Sequence, residues 1–555
     1  MAKKIKVIIN ENEEVKVLEG TTFRELSKMC TEKFKADIVA AKTGNTLREL
    51  NDEVPNGAEV QFFDCTNQDG ASIYARGASF IMLKAVRDIL GADAQMVIEH
   101  SINGNYYCDF RAGIPKITKT LLKNIKDRMD TLVKEDIEIE KKLMTKDEGI
   151  DTAIKFDMED KARLYRYKKA SYMNMYNLDG YYNYFYGYMV PSTGCIKKYD
   201  LIPYEKGFLL LLPDVNNPDK FNRHEGFDKI SNVFMEQLRW SELMKVRNVA
   251  DLNDLVTEEE FKQLVLFNEA LHEKKVAQIA DSITEKAPLV KVVLIAGPSS
   301  SGKTTFAQRL CVQLRVNGIV PHVIGVDDYF INRVNTPLDE FGKPDFESIN
   351  ALDLEQFNKD LLGLINGERV QIPSYNFISG EREYRGRSIQ LQKDEIIVVE
   401  GIHSLNDVLT KDVPTENKYR IFISAMTQLN IDDHNRISTS ESRLVRRIVR
   451  DHQFRGNDAR RTIDIWASVR RGEEKNIFPY QENADVMFNS ATIYELSVLK
   501  AYIEPLLFKI DKTMPEYVIA NRIIKFLDYF LPVNSDCVPN NSIIKEFVGG
   551  SVFDV

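Results

Sequence analysis

The run Gly297-Pro298-Ser299-Ser300-Ser301-Gly302-Lys303-Thr304-Thr305 holds the most specific chemistry in this 555-residue chain. It satisfies G-x-x-x-x-G-K-[ST], a spacing at which backbone N–H groups curl around phosphate oxygens. The glycines allow close backbone approach, and the helix that follows adds favourable dipole. In such a loop Lys303 reaches the β- and γ-phosphates and the Thr304 hydroxyl ligates Mg²⁺. The implied ligand is a nucleoside triphosphate such as ATP with its Mg²⁺. Asp327 and Glu400 end two apolar runs further along the chain. Mg²⁺ held by one or two carboxylates plus phosphates, beside a base, is what phosphoryl transfer requires. A lone acid at a strand end is often just a cap. Two of them with a phosphate loop carry more weight.

Elements must bring these residues together. Residues 290–296 (VKVVLIA) read as a buried strand, and Phe306, Leu310 and Leu314 recur at helical spacing after the loop. With both flanks matching, a chance glycine-serine turn is the weaker reading. The runs 322–330, 395–401, 419–424 and 484–490 add four more strands, separated by helical segments. This is the pattern of a parallel α/β sheet, whose carboxyl ends bind ligands.

The length suggests about three or four domains, so the fold class is multidomain α/β and α+β. A formal net charge of −9 argues against bulk attraction to nucleic acid or anionic membrane. No apolar run is long enough to span a bilayer, and the N-terminus reads as a strand rather than a signal peptide. Six scattered cysteines without a C-x-x-C pair suit a reducing cytoplasm. Residues 3–9 and 14–18 alternate like a hairpin around 10–12; a helix over 22–33 follows, capped by Thr21 or Thr22, then strands near 38–41 and 59–63. Residues 116–146 read as a charged helical run. Nine tyrosines between 165 and 188 could stack on bases, but core filling is favoured. Residues 242–286 read as a helical connector with Leu264, Phe267, Leu271 and Ile279 facing a neighbour, and His272 as a surface or packed histidine. A helix over 519–531 and a loop over 532–541 lead to an apolar tail without evident chemistry.

VDDYF, PDFESINALD, VQIPSYNF, IIVVEGIHSL and RLVRRIVRDHQFRG occur in that order over roughly 288–510. The stretch resembles the uridine kinase and phosphoribulokinase family of P-loop kinases. The resemblance implies that Asp327 accepts the acceptor hydroxyl's proton near Mg²⁺, and that Thr304 and Glu400 complete the metal site. It places Tyr375 against a nucleobase and Glu347 on ribose hydroxyls. It makes the arginine-rich run 443–461 a lid over the phosphates, with Arg446, Arg450 and Arg455 on its inner face. Arginine's planar fork suits phosphate oxygens. Gly380 stands where uridine kinases carry a histidine, Glu347 where they carry aspartate, and Asp328-Tyr329-Phe330 where Ser-Phe-Tyr is usual. The implied activity is ATP-dependent transfer to a nucleoside 5′-hydroxyl, of the uridine or cytidine type; a sugar phosphate is the alternative acceptor.

The first 64 residues resemble a TGS module, a small β-grasp unit, and residues 65–240 resemble the editing domain of threonyl-tRNA synthetases. Those domains carry H-x-x-x-H and C-x-x-x-H. Arg76, Phe80, Phe185 and Met189 stand at the corresponding positions. Phe cannot ligand a metal and Arg stays protonated, so the hydrolysis is not expected. The expected layout is 1–64, 65–240, a connector 241–286, a kinase domain 287–520 and a tail 521–555. A translation-linked, tRNA-binding regulatory NTPase remains the other reading, although tRNA is the less favoured partner. Asn358-Lys359-Asp360-Leu361 fails the guanine-binding N-K-x-D at its last position. A homo-oligomer is compatible with all of this.

Overall fold

The computed structural model describes residues 3–554 except 11, 12, 93, 112–115, 288, 341, 378 and 428. Five strands carry the loop and the carboxylates: β1 (Val292–Ala296), β2 (Val320–Gly325), β3 (Glu395–Glu400), β4 (Lys418–Ser424) and β5 (Val486–Asn489). Their spatial order is β2-β3-β1-β4-β5, and every pairing is parallel. β1 is buried along its whole length, as a strand covered on both faces must be. Its side chains alternate between two cores. Val293 and Ile295 join Phe306, Leu310 and Leu314 from α1 (Lys303–Val316) and Ile279 and Ile283 from the helix Phe261–Glu285. Val292 and Leu294 join Phe357 and Leu361 of the helix Leu354–Ile365 on the opposite face. Two further helices, α2 (Thr439–Phe454) and α3 (Ala459–Asn476), span the arginine-rich run.

Several expected elements differ. The strand at 322–330 stops at Gly325, and Asp327 sits on the short 3₁₀ turn Val326–Tyr329. The run 116–146 is a helix only over Lys119–Lys134. Glu140–Thr145 instead pairs antiparallel with Tyr172–Leu178, and strand pairing overrides its local helical composition. Residues 242–286 hold parts of three helices: Asp228–Met244, Val249–Thr257 and Phe261–Glu285. Leu264 and Ile279 face inward, but Phe267 is exposed. The last of these helices is part of the kinase core: Glu273 accepts from Arg309 of α1 at 2.7 Å. The expected boundary at 520/521 falls inside the helix Tyr517–Leu527.

At the front, residues 4–63 form a five-stranded sheet in the order second, first, fifth, third, fourth. Its short helix Phe23–Ser27 is capped by Thr22, whose hydroxyl accepts from Glu25 N–H while Glu25 caps Thr22 in return. Positions 11 and 12 of the expected hairpin turn lie outside the described residues. The long helix Gln68–Leu90 then packs with the four-stranded sheet of Met96–Ile102, Asn105–Phe110, Asp200–Tyr204 and Gly207–Leu211. Tyr165, Tyr176, Tyr181 and Tyr184 are buried, which favours packing over base stacking for these four. Lys161 and Asp432 form a fully buried ion pair that fastens this front region to the segment before α2. Among the described residues no helix is long and apolar enough to cross a membrane.

Candidate active site

The phosphate loop leaves β1 at Gly297, where a Cβ would meet the Ile423 carbonyl oxygen of β4 at 2.0 Å. It enters α1 at Gly302, which has φ +79°, a left-handed conformation that glycine adopts without strain. Between them the hydroxyls of Ser300 and Ser301 are buried and have no hydrogen-bond partner. Orphaned donors inside a glycine-rich loop fit a phosphate group. Lys303 folds over the loop, and its Nζ donates to the carbonyls of Gly297 (3.1 Å) and Pro298 (3.3 Å). Thr304 lies beside it in the first turn of α1, half-buried.

Lys303 is the positive centre of a group of carboxylates. Burial pushes Glu400 up to about 7; Lys303 opposes the shift, while Asp327, Glu546 and Asp328 add to it. Asp327 is raised too, again first by burial, with Lys303 and Arg455 pulling it back. Its side chain opens to solvent within the cleft although protein surrounds it on most sides, a setting in which desolvation and substrate access coexist. Neither Asp327 nor Glu400 has an ion pair among the described residues. Thr304, Asp327 and Glu400 make an open, anionic, oxygen-rich set that fits a Mg²⁺ also held by phosphates. Among the described residues no three metal-ligating side chains form a closed cage.

The arginine run is divided between bracing and the cleft. Arg446 does not face the phosphates: it is fully buried, its fork is taken by Glu495 (2.6 Å) and the Ser490 carbonyl (2.9 Å), and it reaches the loop only through the Ser300 carbonyl at 3.4 Å. The charge needed a buried partner, and helix periodicity alone does not show which face finds one. Arg443 is likewise buried, paired to Glu473, and donates to the Ser299 carbonyl at 3.1 Å. Glu473 in turn accepts from Ser299 N–H at 2.9 Å. Around the buried Asp451 stand Arg447, Arg450 and Arg455, at 3.3, 3.0 and 3.7 Å. Three cations on one carboxylate leave positive charge to spare. Arg447 also donates to Ser299 Oγ at 2.8 Å, and Arg455 is half exposed.

On the acceptor side, Tyr375 is buried against Phe330 and Phe377, ring centroids 5.5 and 5.1 Å away, and its hydroxyl has no partner. Glu347 lies against Gly472 of α3, where a Cβ would meet its own Cβ at 2.5 Å. Burial raises Glu347 to about 7; Arg447 opposes the shift, and Glu473 and Asp327 reinforce it. His403 stands beside the Glu347 backbone, buried, with neither ring nitrogen within hydrogen-bond limits of a partner.

Arg447 stood in the sequence only as one arginine of the run 443–461, and Glu473, His403 and Glu546 carried no assigned role there. His403 lies in IIVVEGIHSL, three residues after Glu400, and that proximity is a local signal. Glu546 gave no local signal. Its carboxylate accepts from both the N–H (3.2 Å) and the hydroxyl (2.8 Å) of Thr305, and Ile543 lies where a Gly302 Cβ would stand, 2.5 Å away. The tail is thus seated on the phosphate loop.

Residues 292–497 match the Phosphoribulokinase / Uridine kinase family model. The matched stretch supports a kinase domain of this kind in the C-terminal region. Over 197 residues the chain is 27% identical to the uridine kinase of Ligilactobacillus salivarius, covering 35% of this chain and 83% of that one. The uridine kinase of Macrococcus caseolyticus is 27% identical over 197 residues, 35% of this chain and 86% of that one. The threonine–tRNA ligase of Caldanaerobacter subterraneus subsp. tengcongensis is 26% identical over 189 residues, 33% of this chain but only 28% of the ligase. This likeness supports an editing-like front region fused to the kinase domain. A possible uridine kinase structure from Bacillus stearothermophilus aligns with a TM-score of 0.27 and 18% identity, covering 39% of this chain and 98% of that one.

Proposed function

We propose that this chain is an ATP-dependent nucleoside kinase that phosphorylates a 5′-hydroxyl. The observation that carries this reading is the meeting of Asp327 and Glu400 around Lys303, beside the orphaned hydroxyls of Ser300 and Ser301. The loop from Gly297 to Thr305 holds the triphosphate, and Lys303 exchanges its loop carbonyls for phosphate oxygens. Asp327 takes the proton of the acceptor hydroxyl as its oxygen bonds to the γ-phosphorus, and ADP leaves with the electrons of the broken β–γ bridge. Thr304 and Glu400 would hold Mg²⁺, which supplies charge neutralisation on the phosphates. Arg447, Arg450 and Arg455 add positive potential from the lid side. Tyr375 and Glu347 frame the acceptor, with a ring for a planar base and a carboxylate for sugar hydroxyls. ATP entry also requires Glu546 to release Thr305, because a carboxylate and a phosphate compete for the same donors.

The test is ADP release with ATP and Mg²⁺ across a panel of nucleosides and pentose phosphates. Release with uridine or cytidine supports the reading. Release with a pentose phosphate alone moves the chain to the sugar-phosphate branch, and no release with any acceptor overturns both.

A further inference from the structure

A second cleft of about 530 Å³ lies away from the phosphate loop, between the front region, helices α2 and α3, and the helix Tyr517–Leu527. It has a charge of its own. Seven lysines and arginines line it against four aspartates and glutamates, in a chain whose net charge is −9. Most of the acids are already matched: Glu49 pairs with Lys141 at 2.9 Å, and Asp69 and Glu441 both pair with Arg522. Lys168 and Lys525 make no ion pair among the described residues. They lie instead on aromatic faces, Lys168 over Tyr184 at 4.9 Å and Tyr529 at 5.3 Å, and Lys525 over Tyr188 at 5.8 Å. The Lys525 ammonium is held below its ordinary value by burial and by the neighbouring charges of Lys141 and Lys168. Such crowding of like charge is relieved by an anion.

We propose that this cleft binds a mononucleotide, its phosphate on Lys168 and Lys525 and its base against Tyr186, Tyr188 and Trp466. Cations lacking acid partners give the phosphate a site, and flat aromatic walls give a planar ring one. The volume suits a small ligand. The cleft is also wired to the kinase loop. Trp466 and Arg470 of α3 line it. Trp466 carries Arg443 and Arg447 on its ring at 5.5 and 6.0 Å, and Arg470 donates to Glu473 at 2.8 Å. Arg443, Arg447 and Glu473 are the three side chains that hold Ser299. A ligand that shifts Trp466 or Arg470 therefore shifts the loop and alters the affinity for ATP. The binding claim is independent of the kinase reading, and the coupling claim rests on it.

The chain has two tryptophans. Both are buried, Trp240 at 8% and Trp466 at 7% exposure, but only Trp466 lines the cleft, so a fluorescence change on filling it reports on the site. The titration uses the full chain carrying Lys303→Ala, which disables the phosphate loop, with AMP, UMP, ribose 5-phosphate and uridine as probes. A nucleotide is expected to give a saturable change, with ribose 5-phosphate and uridine each at least about tenfold weaker because each lacks half of the recognition. Lys168→Glu combined with Lys525→Glu is expected to abolish the change. If that pair fails to fold, Lys525→Ala alone is expected to weaken it. The proposal is overturned if no nucleotide gives a saturable change or if the change survives these lysine variants unaltered. In the chain with Lys303 intact, filling the cleft is expected to shift KM for ATP, and Arg470→Ala to remove the shift without removing binding. A KM that stays fixed while the cleft fills overturns the coupling. No ADP release under any condition overturns the kinase reading and leaves the binding result standing.

Discussion

The front region and the kinase cleft have treated their chemical positions in opposite ways. In the front region, the positions where editing domains carry histidine and cysteine have become core. Phe80 and Phe185 meet edge to face at 5.2 Å, and Phe80, Phe185 and Met189 are all buried. Arg76 is tied down by a 2.8 Å bond to the Tyr188 carbonyl. In the kinase cleft the corresponding groups are left unsatisfied: orphaned serine hydroxyls, carboxylates lifted by desolvation, three arginines around one aspartate. Positions without ligating chemistry are taken up by packing and backbone contacts. The kinase cleft keeps electrostatic tension that a bound ligand would relieve.

This contrast can be broken by mutation. Asp327→Asn should lower acceptor-dependent ADP release by about 10²–10⁴-fold, the range for loss of a general base, while nucleotide binding persists. A change of less than about tenfold would remove Asp327 from that role. Phe80→Ala should do the reverse, costing about 3–5 kcal/mol of stability in denaturant unfolding but leaving kcat per folded molecule unchanged. If kcat collapses with the fold intact, the front residue is more than packing. Glu546→Gln should lower KM for ATP by roughly tenfold, since the tail then competes less well for Thr305. The smallest effect concerns pH. With Glu347 raised to about 7, the ionised carboxylate proposed to accept from sugar hydroxyls becomes populated as pH rises through that value. KM for the acceptor should therefore fall a few-fold between about pH 6 and 8, and Glu347→Gln should flatten the profile.

The parallel sheet, the phosphate loop and the positions of Asp327 and Glu400 were legible in the sequence, because short apolar runs and turn residues encode them locally. Arg446 was misplaced because its partner, Glu495, lies 49 residues away and its burial depends on that pairing. Glu546 was invisible for the same reason on a larger scale: 241 residues separate it from Thr305. The strand Glu140–Thr145 looked helical because its sequence, EKKLMT, has helical preference, and only pairing with Tyr172–Leu178 makes it extended. The aromatic wealth of residues 165–188 was visible, but not its division between the core (Tyr165, Tyr181) and the wall of a cationic cleft (Tyr186, Tyr188). Local chemistry reads from spacing. Which charge is spent on structure and which is kept for a ligand is decided by tertiary contact.

The most direct test of the account is to follow the γ-phosphoryl group itself. The intact chain, incubated with γ-labelled ATP, Mg²⁺ and uridine or cytidine, should place the label on the nucleoside 5′-oxygen, and Asp327→Asn should suppress that transfer. Label appearing only as inorganic phosphate, or transfer unchanged in Asp327→Asn, would contradict it.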